Sequence, residues 1–205
     1  MTERMTERMT QSTAEANYKK IIDQMNDLKD KYYVENDKNI FFKKQQKMQV
    51  ASAISEKIDM NQALAKTIFI IPDTNHVYLD YNVFKLYAHP SNYTIIVSYA
   101  IHLINTCVAK YGCYEMHLNL NTFSISALKR YRECIDLYLN ECIKANTEYY
   151  KVISCLHMYN TPSVIDTIAD MLHKLIHPEV KRKVKKYNKS ESEIIIQQIV
   201  SSVAV

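Results

Sequence analysis

"YEMHLNLNTF", Tyr114–Phe123, is the stretch that decides how the chain folds. Met116, Leu118 and Leu120 recur at every second position, which places them on one side of an extended strand. Ser124 or Ser126 can then cap a long helix running to about Asn146. "YKVISCLHMY", Tyr150–Tyr159, follows as a second apolar strand. Strand, helix, strand in this order predicts a β-α-β unit. Residues 116–121 and 152–158 should be neighbouring parallel strands joined by the helix near 126–146.

The reading extends in both directions. Upstream, "TIFIIP" (Thr67–Pro72), the turn-like "DTNH" and "VYLDYNVFKLYA" predict a hairpin, the last segment supplying one or two strands. Ser91 or Asn92 opens a helix that runs to Tyr111 and stops at Gly112. Downstream lies "MYNTPSVIDTIADMLHKLIHPEVKRKV", Met158–Val184. Thr161 with Pro162, or Ser163 with Asp166, is placed to cap a helix striped by Val164, Ile165, Ile168, Met171, Leu172, Leu175 and Ile176. His177-Pro178 ends that helix, because proline disfavours helical geometry in the residue before it. A last helix is predicted over Ser190–Val203.

The fold expected is therefore α/β: a small, mainly parallel sheet of about four to five strands flanked by helices. Residues 1–13, the tandem "MTERMTERMT" and its continuation, carry no periodic apolar face and are expected to form a disordered leader. Residues 14–66 read as an N-terminal helical extension, one helix to about Tyr33 and a second from about Asn39, broken near Asp59. Residues 67–205 make up the α/β domain. One glycine and four prolines in 205 residues leave too few turn formers for an all-β sandwich.

Charge and cysteine usage narrow the function classes. The formal net charge is +4, and residues 178–205 hold six Lys and Arg against three Asp and Glu. A nucleic-acid binder usually carries a broader basic face, so nucleic acid is disfavoured; a local patch suits a phosphate head group or an anionic membrane surface. Cys107, Cys113, Cys134, Cys142 and Cys155 form no CxxC pair, and the polar N-terminus shows no signal peptide. Free thiols in a reducing compartment follow, and a cytoplasmic, membrane-associated or virion location is expected. The bias toward Asn, Ile, Lys and Tyr matches an AT-rich genome such as that of a large DNA virus or a protist.

No catalytic centre, cofactor or metal site is expected. The single glycine excludes a Gly-rich phosphate loop. His173 and His177 share a helical spacing but have no third ligand at recognisable distance. Cys155 and His157 lie on one side of a strand, and adjacency alone defines no nucleophile.

"EYYKVISCLHMYNTPSVIDTIADMLHKLIHPEVKRKVKKYNKSESEIIIQQI" and "LNLNTFSISALKRY" resemble the C-terminal half of the CRAL-TRIO family of lipid-binding domains. The likeness runs over about Tyr114–Ile199, with Asn119 or Asn121 where an Asp is usual. The resemblance implies that the helix after Asn160-Thr-Pro gates a lipid cavity, with Ile165, Ile168, Leu172 and Leu175 facing acyl chains. It also implies that Glu148 and Lys183, with Lys185 as a neighbour, hold the head group. The expected function is non-enzymatic binding or transfer of a phospholipid or other hydrophobic ligand, with peripheral membrane contact. The alternative is a structural or adaptor protein, for example a virion component, that meets a protein partner through this fold.

Overall fold

A computed structural model of the chain describes residues 2–39, 41–144, 148–173 and 176–202, with side chains from Lys19 onward. Five strands form one sheet in the order β1 (Ile68–Ile70), β2 (His76–Asp80), β3 (Tyr114–Asn119), β4 (Ile153–Tyr159) and β5 (Val184–Lys186). β1 pairs antiparallel with β2, and β2 through β5 are parallel. The expected neighbours are in place: Leu118 lies opposite Met158 and Asn119 opposite Tyr159. A register shift between Tyr114 and Glu115 sets the start of that pairing.

Helices α1 (Thr2–Glu35), α2 (Lys43–Ser55) and α3 (Met60–Thr67) precede the sheet. α4 (Tyr81–Tyr87) and α5 (Tyr93–Tyr111) connect β2 to β3. α6 (Ile125–Arg130), α7 (Arg132–Lys144) and α8 (Tyr149–Val152) connect β3 to β4. α9 (Ile165–Leu172) and α10 (Pro178–Arg182) lead to β5, and α11 (Lys189–Ser202) follows it.

Several local expectations need correction. Tyr81–Tyr87 is a helix rather than a second strand. The Asp80 carboxylate accepts from the Asn82 N–H at 2.7 Å, and Val83, Phe84, Leu86 and Tyr87 are all buried, a helical rather than an alternating pattern. The long helix after Ser124 is two helices that break at Tyr131. α9 starts at Ile165, and neither Thr161 nor Ser163 caps it; the Thr161 hydroxyl donates instead to the Met158 carbonyl at 2.8 Å. Gly112, by contrast, ends α5 as expected, at φ 75°.

Residues 2–13, expected to form a leader, continue the backbone of α1. The helices over 14–66 share the sheet's core: Ile21 and Met25 of α1 and Val50 and Ile54 of α2 are buried with Ile68, Val77, Met116 and Ile104. Asp59, where a break was expected, caps α3 through the N–H groups of Asn61 and Gln62.

The sheet therefore has two unlike faces. One carries Ile68, Val77, Leu79, Met116, Leu118 and Leu156 and packs under α5 in the main core. The other carries His76, Tyr78 and Asp80 of β2, Glu115, His117 and Asn119 of β3, and Cys155, His157 and Tyr159 of β4. Ile199 of α11 covers part of this second face, packing with Phe69, Tyr78 and Tyr159.

Candidate functional site: a cationic cavity at the strand ends

The parallel strands end in a polar network. Asp80 Oδ2 accepts from Asn119 Nδ2 at 3.1 Å and from the Tyr78 hydroxyl at 3.3 Å. Asn119 Oδ1 in turn accepts from Asn160 Nδ2 at 2.9 Å and from the Asn121 N–H at 3.2 Å. Carboxyl ends of parallel strands are where ligands bind in open α/β sheets, because the loops there diverge from the sheet. Two of those loops carry residues in left-handed conformation, Thr122 at φ 65° and Asn160 at φ 51°. Asparagine tolerates this region, but a β-branched threonine is strained in it.

Beside this network lies a cavity of about 670 Å³, walled by α1, α2, α4 and the loop leading into α6. Lys29, Lys47, Lys85 and Arg130 line it, with Asp80 as the carboxylate among them. Ile22, Val50, Ile54 and Leu86 form its apolar wall. Lys85 Nζ donates to Thr122 Oγ1 at 2.7 Å and to Asn82 Oδ1 at 3.0 Å, which ties the strained loop to the cavity. Arg130 Nε is buried and has no hydrogen-bond partner.

The electrostatics favour an anion. Burial, then Arg130 and Lys43, lower the pKa of Lys47. Burial also lowers Lys85; Asp80 opposes the shift while Lys29 and Lys47 add to it. Asp80 is itself raised by burial, against the hydrogen bonds that favour its charged form. The positive charges thus repel one another across a partly dry space, and an entering anion would relieve that repulsion.

The residues expected from the sequence lie elsewhere. Glu148 is exposed and accepts from the Tyr150 hydroxyl and from Lys151 Nζ, each at 2.6 Å. Lys183 Nζ donates to the carbonyls of Tyr150, Lys151 and Ile153 at 3.0, 3.2 and 2.7 Å, fastening the start of β5 to the start of β4. Lys185 is exposed on β5 opposite His157. Glu148 and Lys183 therefore sit at the amino ends of β4 and β5, away from the cavity, while Lys185 lies mid-strand on β5. Ile165 and Ile168 are buried in a satellite core with Leu120 and Leu128, and Leu172 is half-buried against it. Leu175 lies outside the described residues.

Sequence reasoning missed Lys29, Lys47, Lys85 and Arg130 because they come from four separate elements. "DYNVFKLY" held the one available signal, an Asp cap followed by a lysine in the last turn of the same helix.

Among the described residues, His76, Glu115 and His117 form one group whose ligating atoms could hold a metal, and Glu115, Cys155 and His157 another. No helix among them is long and apolar enough to cross a membrane. Comparison with family models, with curated proteins and with solved structures finds no match for the chain.

Proposed function

We propose that the protein is a non-catalytic binder of a phosphate-bearing ligand, held in the cavity by Lys29, Lys47, Lys85 and Arg130, and that the ligand is a phospholipid head group met at a membrane surface. The observation that carries the reading is the set of four cations against one carboxylate, with the buried Arg130 Nε unpartnered. A phosphate oxygen supplies the acceptor that Nε lacks.

The surface beside the cavity supports the lipid source. The loop from α1 to α2 exposes Phe41 at 91% and Phe42 at 63%, and Lys38, Lys43 and Lys44 flank them in sequence. The helices on either side of it carry Tyr33 and Lys47, both cavity residues. Each lysine near an anionic bilayer contributes about 1 kcal/mol, and each phenylalanine it buries about 1.5–3 kcal/mol. The same exposed pair favours a second reading, an adaptor whose loop meets a protein partner.

Flotation with vesicles of phosphatidylcholine alone, or with added phosphatidylserine or phosphoinositide, tests this. Binding to the anionic vesicles should fall both in Lys85→Gln/Arg130→Gln and in Phe41→Ser/Phe42→Ser. Inositol trisphosphate, titrated by calorimetry, isolates the soluble ligand. If it binds and the phenylalanines are dispensable, the ligand is a free phosphate ester. Absence of binding to either probe leaves the adaptor reading.

A further inference from the structure

The middle of the polar face holds a second constellation, on different residues. Three imidazoles from three adjacent strands stack in a row: His76 and His117 at 4.8 Å between centroids, His117 and His157 at 4.4 Å. One carboxylate oxygen, Glu115 Oε2, faces all three. It lies 2.8 Å from His157 Nε2, 3.8 Å from His76 Nε2 and 4.0 Å from His117 Nε2.

The hydrogen bonds sort these groups into two roles. His157 is fully engaged, with Nε2 on Glu115 and Nδ1 at 3.0 Å from the Tyr187 hydroxyl. Neutral His157 satisfies both contacts by donating from Nε2 and accepting at Nδ1. His117 is engaged on one side only. Its Nδ1 lies 2.9 Å from the Tyr159 hydroxyl, and its Nε2 is buried without a partner. The residue is only 5% exposed, so water does not readily take up that nitrogen. An unpaired buried polar atom costs about 1–3 kcal/mol. With Nδ1–H donating to Tyr159, Nε2 presents a lone pair toward Glu115 and His76.

We propose that His76 Nε2, His117 Nε2 and the Glu115 carboxylate form a binding site for a divalent first-row transition metal, zinc first among them. Two imidazoles and a carboxylate suit zinc's preference for nitrogen and oxygen ligands, and a water molecule would complete the tetrahedron. Zn–N and Zn–O bonds of about 2.0–2.2 Å put tetrahedral ligand atoms about 3.4 Å apart. The separations of 3.8 and 4.0 Å from Glu115 Oε2 need to close by about half an ångström to meet that spacing. The His76 side chain, 33% exposed, gives the ion its way in.

Outer contacts are also in place. Tyr159 orients His117 through Nδ1, and His157 orients the Glu115 carboxylate; such contacts fix metal ligands in position. The alternative group around Cys155 is less suited. Its thiol is raised by burial and donates to the Lys183 carbonyl at 3.3 Å, and both nitrogens of His157 are occupied. The histidine pair that stood out in the sequence is also engaged. His173 Nδ1 lies 2.8 Å from the Asp170 carbonyl oxygen, and the His177 ring accepts from the Glu179 N–H and stacks on Tyr150 at 3.9 Å.

The test uses the full chain, dialysed against a chelator and titrated with zinc chloride by calorimetry, with cobalt chloride as an optical probe. One ion per chain is expected, with a cobalt absorption in the visible. His76→Gln, at a partly exposed position, should keep the circular-dichroism spectrum and weaken zinc at least tenfold. Tyr159→Phe should weaken it about 10–100-fold by freeing His117. His173→Gln/His177→Gln should bind as wild type does. No zinc bound at micromolar concentration, unchanged affinity in folded His76→Gln, or loss of binding in Cys155→Ala instead overturns the proposal. Because no phosphate ligand enters, failure here is separable from failure of the cationic cavity.

Discussion

The two faces of the sheet come from the same strands, yet they are built on opposite principles. On β3, Met116 and Leu118 enter the core under α5, while Glu115, His117 and Asn119 face α11. The first face has one task, to exclude water. The second buries two imidazoles, an amide and a carboxylate, all of which need partners. A sheet this small can satisfy the first requirement with almost any apolar set. The second demands specific groups at specific positions, and those positions are where function is expected.

Four measurements would break or sharpen this contrast. Ile104→Ala, under the apolar face and fully buried, should cost about 2–5 kcal/mol in a urea titration. A cost under 1 kcal/mol would mean that the apolar face is not the stabilising one.

The second is a pH titration of the metal-free protein. Burial, and then the neighbouring His157 and His76, push His117 down to about 3. Glu115 and Tyr159 are the other polar groups facing the ring. The unfolded chain, titrating near 6.5, binds the proton while the folded protein does not, so this contribution is present above pH 6.5. It is lost as the pH falls toward 3, and the loss amounts to a few kcal/mol. His117→Gln should flatten the slope between those pH values, and an unchanged slope would place the acid sensitivity elsewhere.

The third is Tyr187→Phe, which removes one hydroxyl from His157 and should cost about 1 kcal/mol by thermal melting. The fourth is Lys85→Gln. Burial disfavours its charge, and Lys29 and Lys47 add to this while Asp80 opposes it, so stability should change by no more than about 0.5 kcal/mol while phosphate binding falls. A large loss of stability would make that lysine a structural tie rather than a ligand group.

The apolar face was legible in the sequence because alternation is a local signal. "YEMHLNLNTF" and "YKVISCLHMY" predicted two parallel strands with a helical connection from the alternation of Met116, Leu118 and Leu120 and from the strand-helix-strand order. The polar face was not. His76, His117 and His157 are about forty residues apart in sequence, and only the strand register, with Tyr78 opposite His117 and His117 opposite His157, brings them side by side. "YNVFKLY" misled because its β-branched and aromatic residues suit a strand, whereas its buried positions follow helical spacing behind the cap at Asp80. The basic run at Lys181–Lys186 drew attention as a charge cluster, whereas Lys183 holds backbone carbonyls together. The cavity's own cations come one at a time from distant segments, so no window of sequence contains them.

The strand order has a consequence in time. Each strand of the sheet pairs beside the one made just before it, so the sheet can grow in the order in which a ribosome releases the chain. The helical connections close the apolar face as each new strand is added. α11 follows all five strands, and Phe69, Tyr78 and Tyr159 wait for Ile199 to cover them. During synthesis the histidine-bearing side of the sheet is therefore covered by α11 only after all five strands have been made.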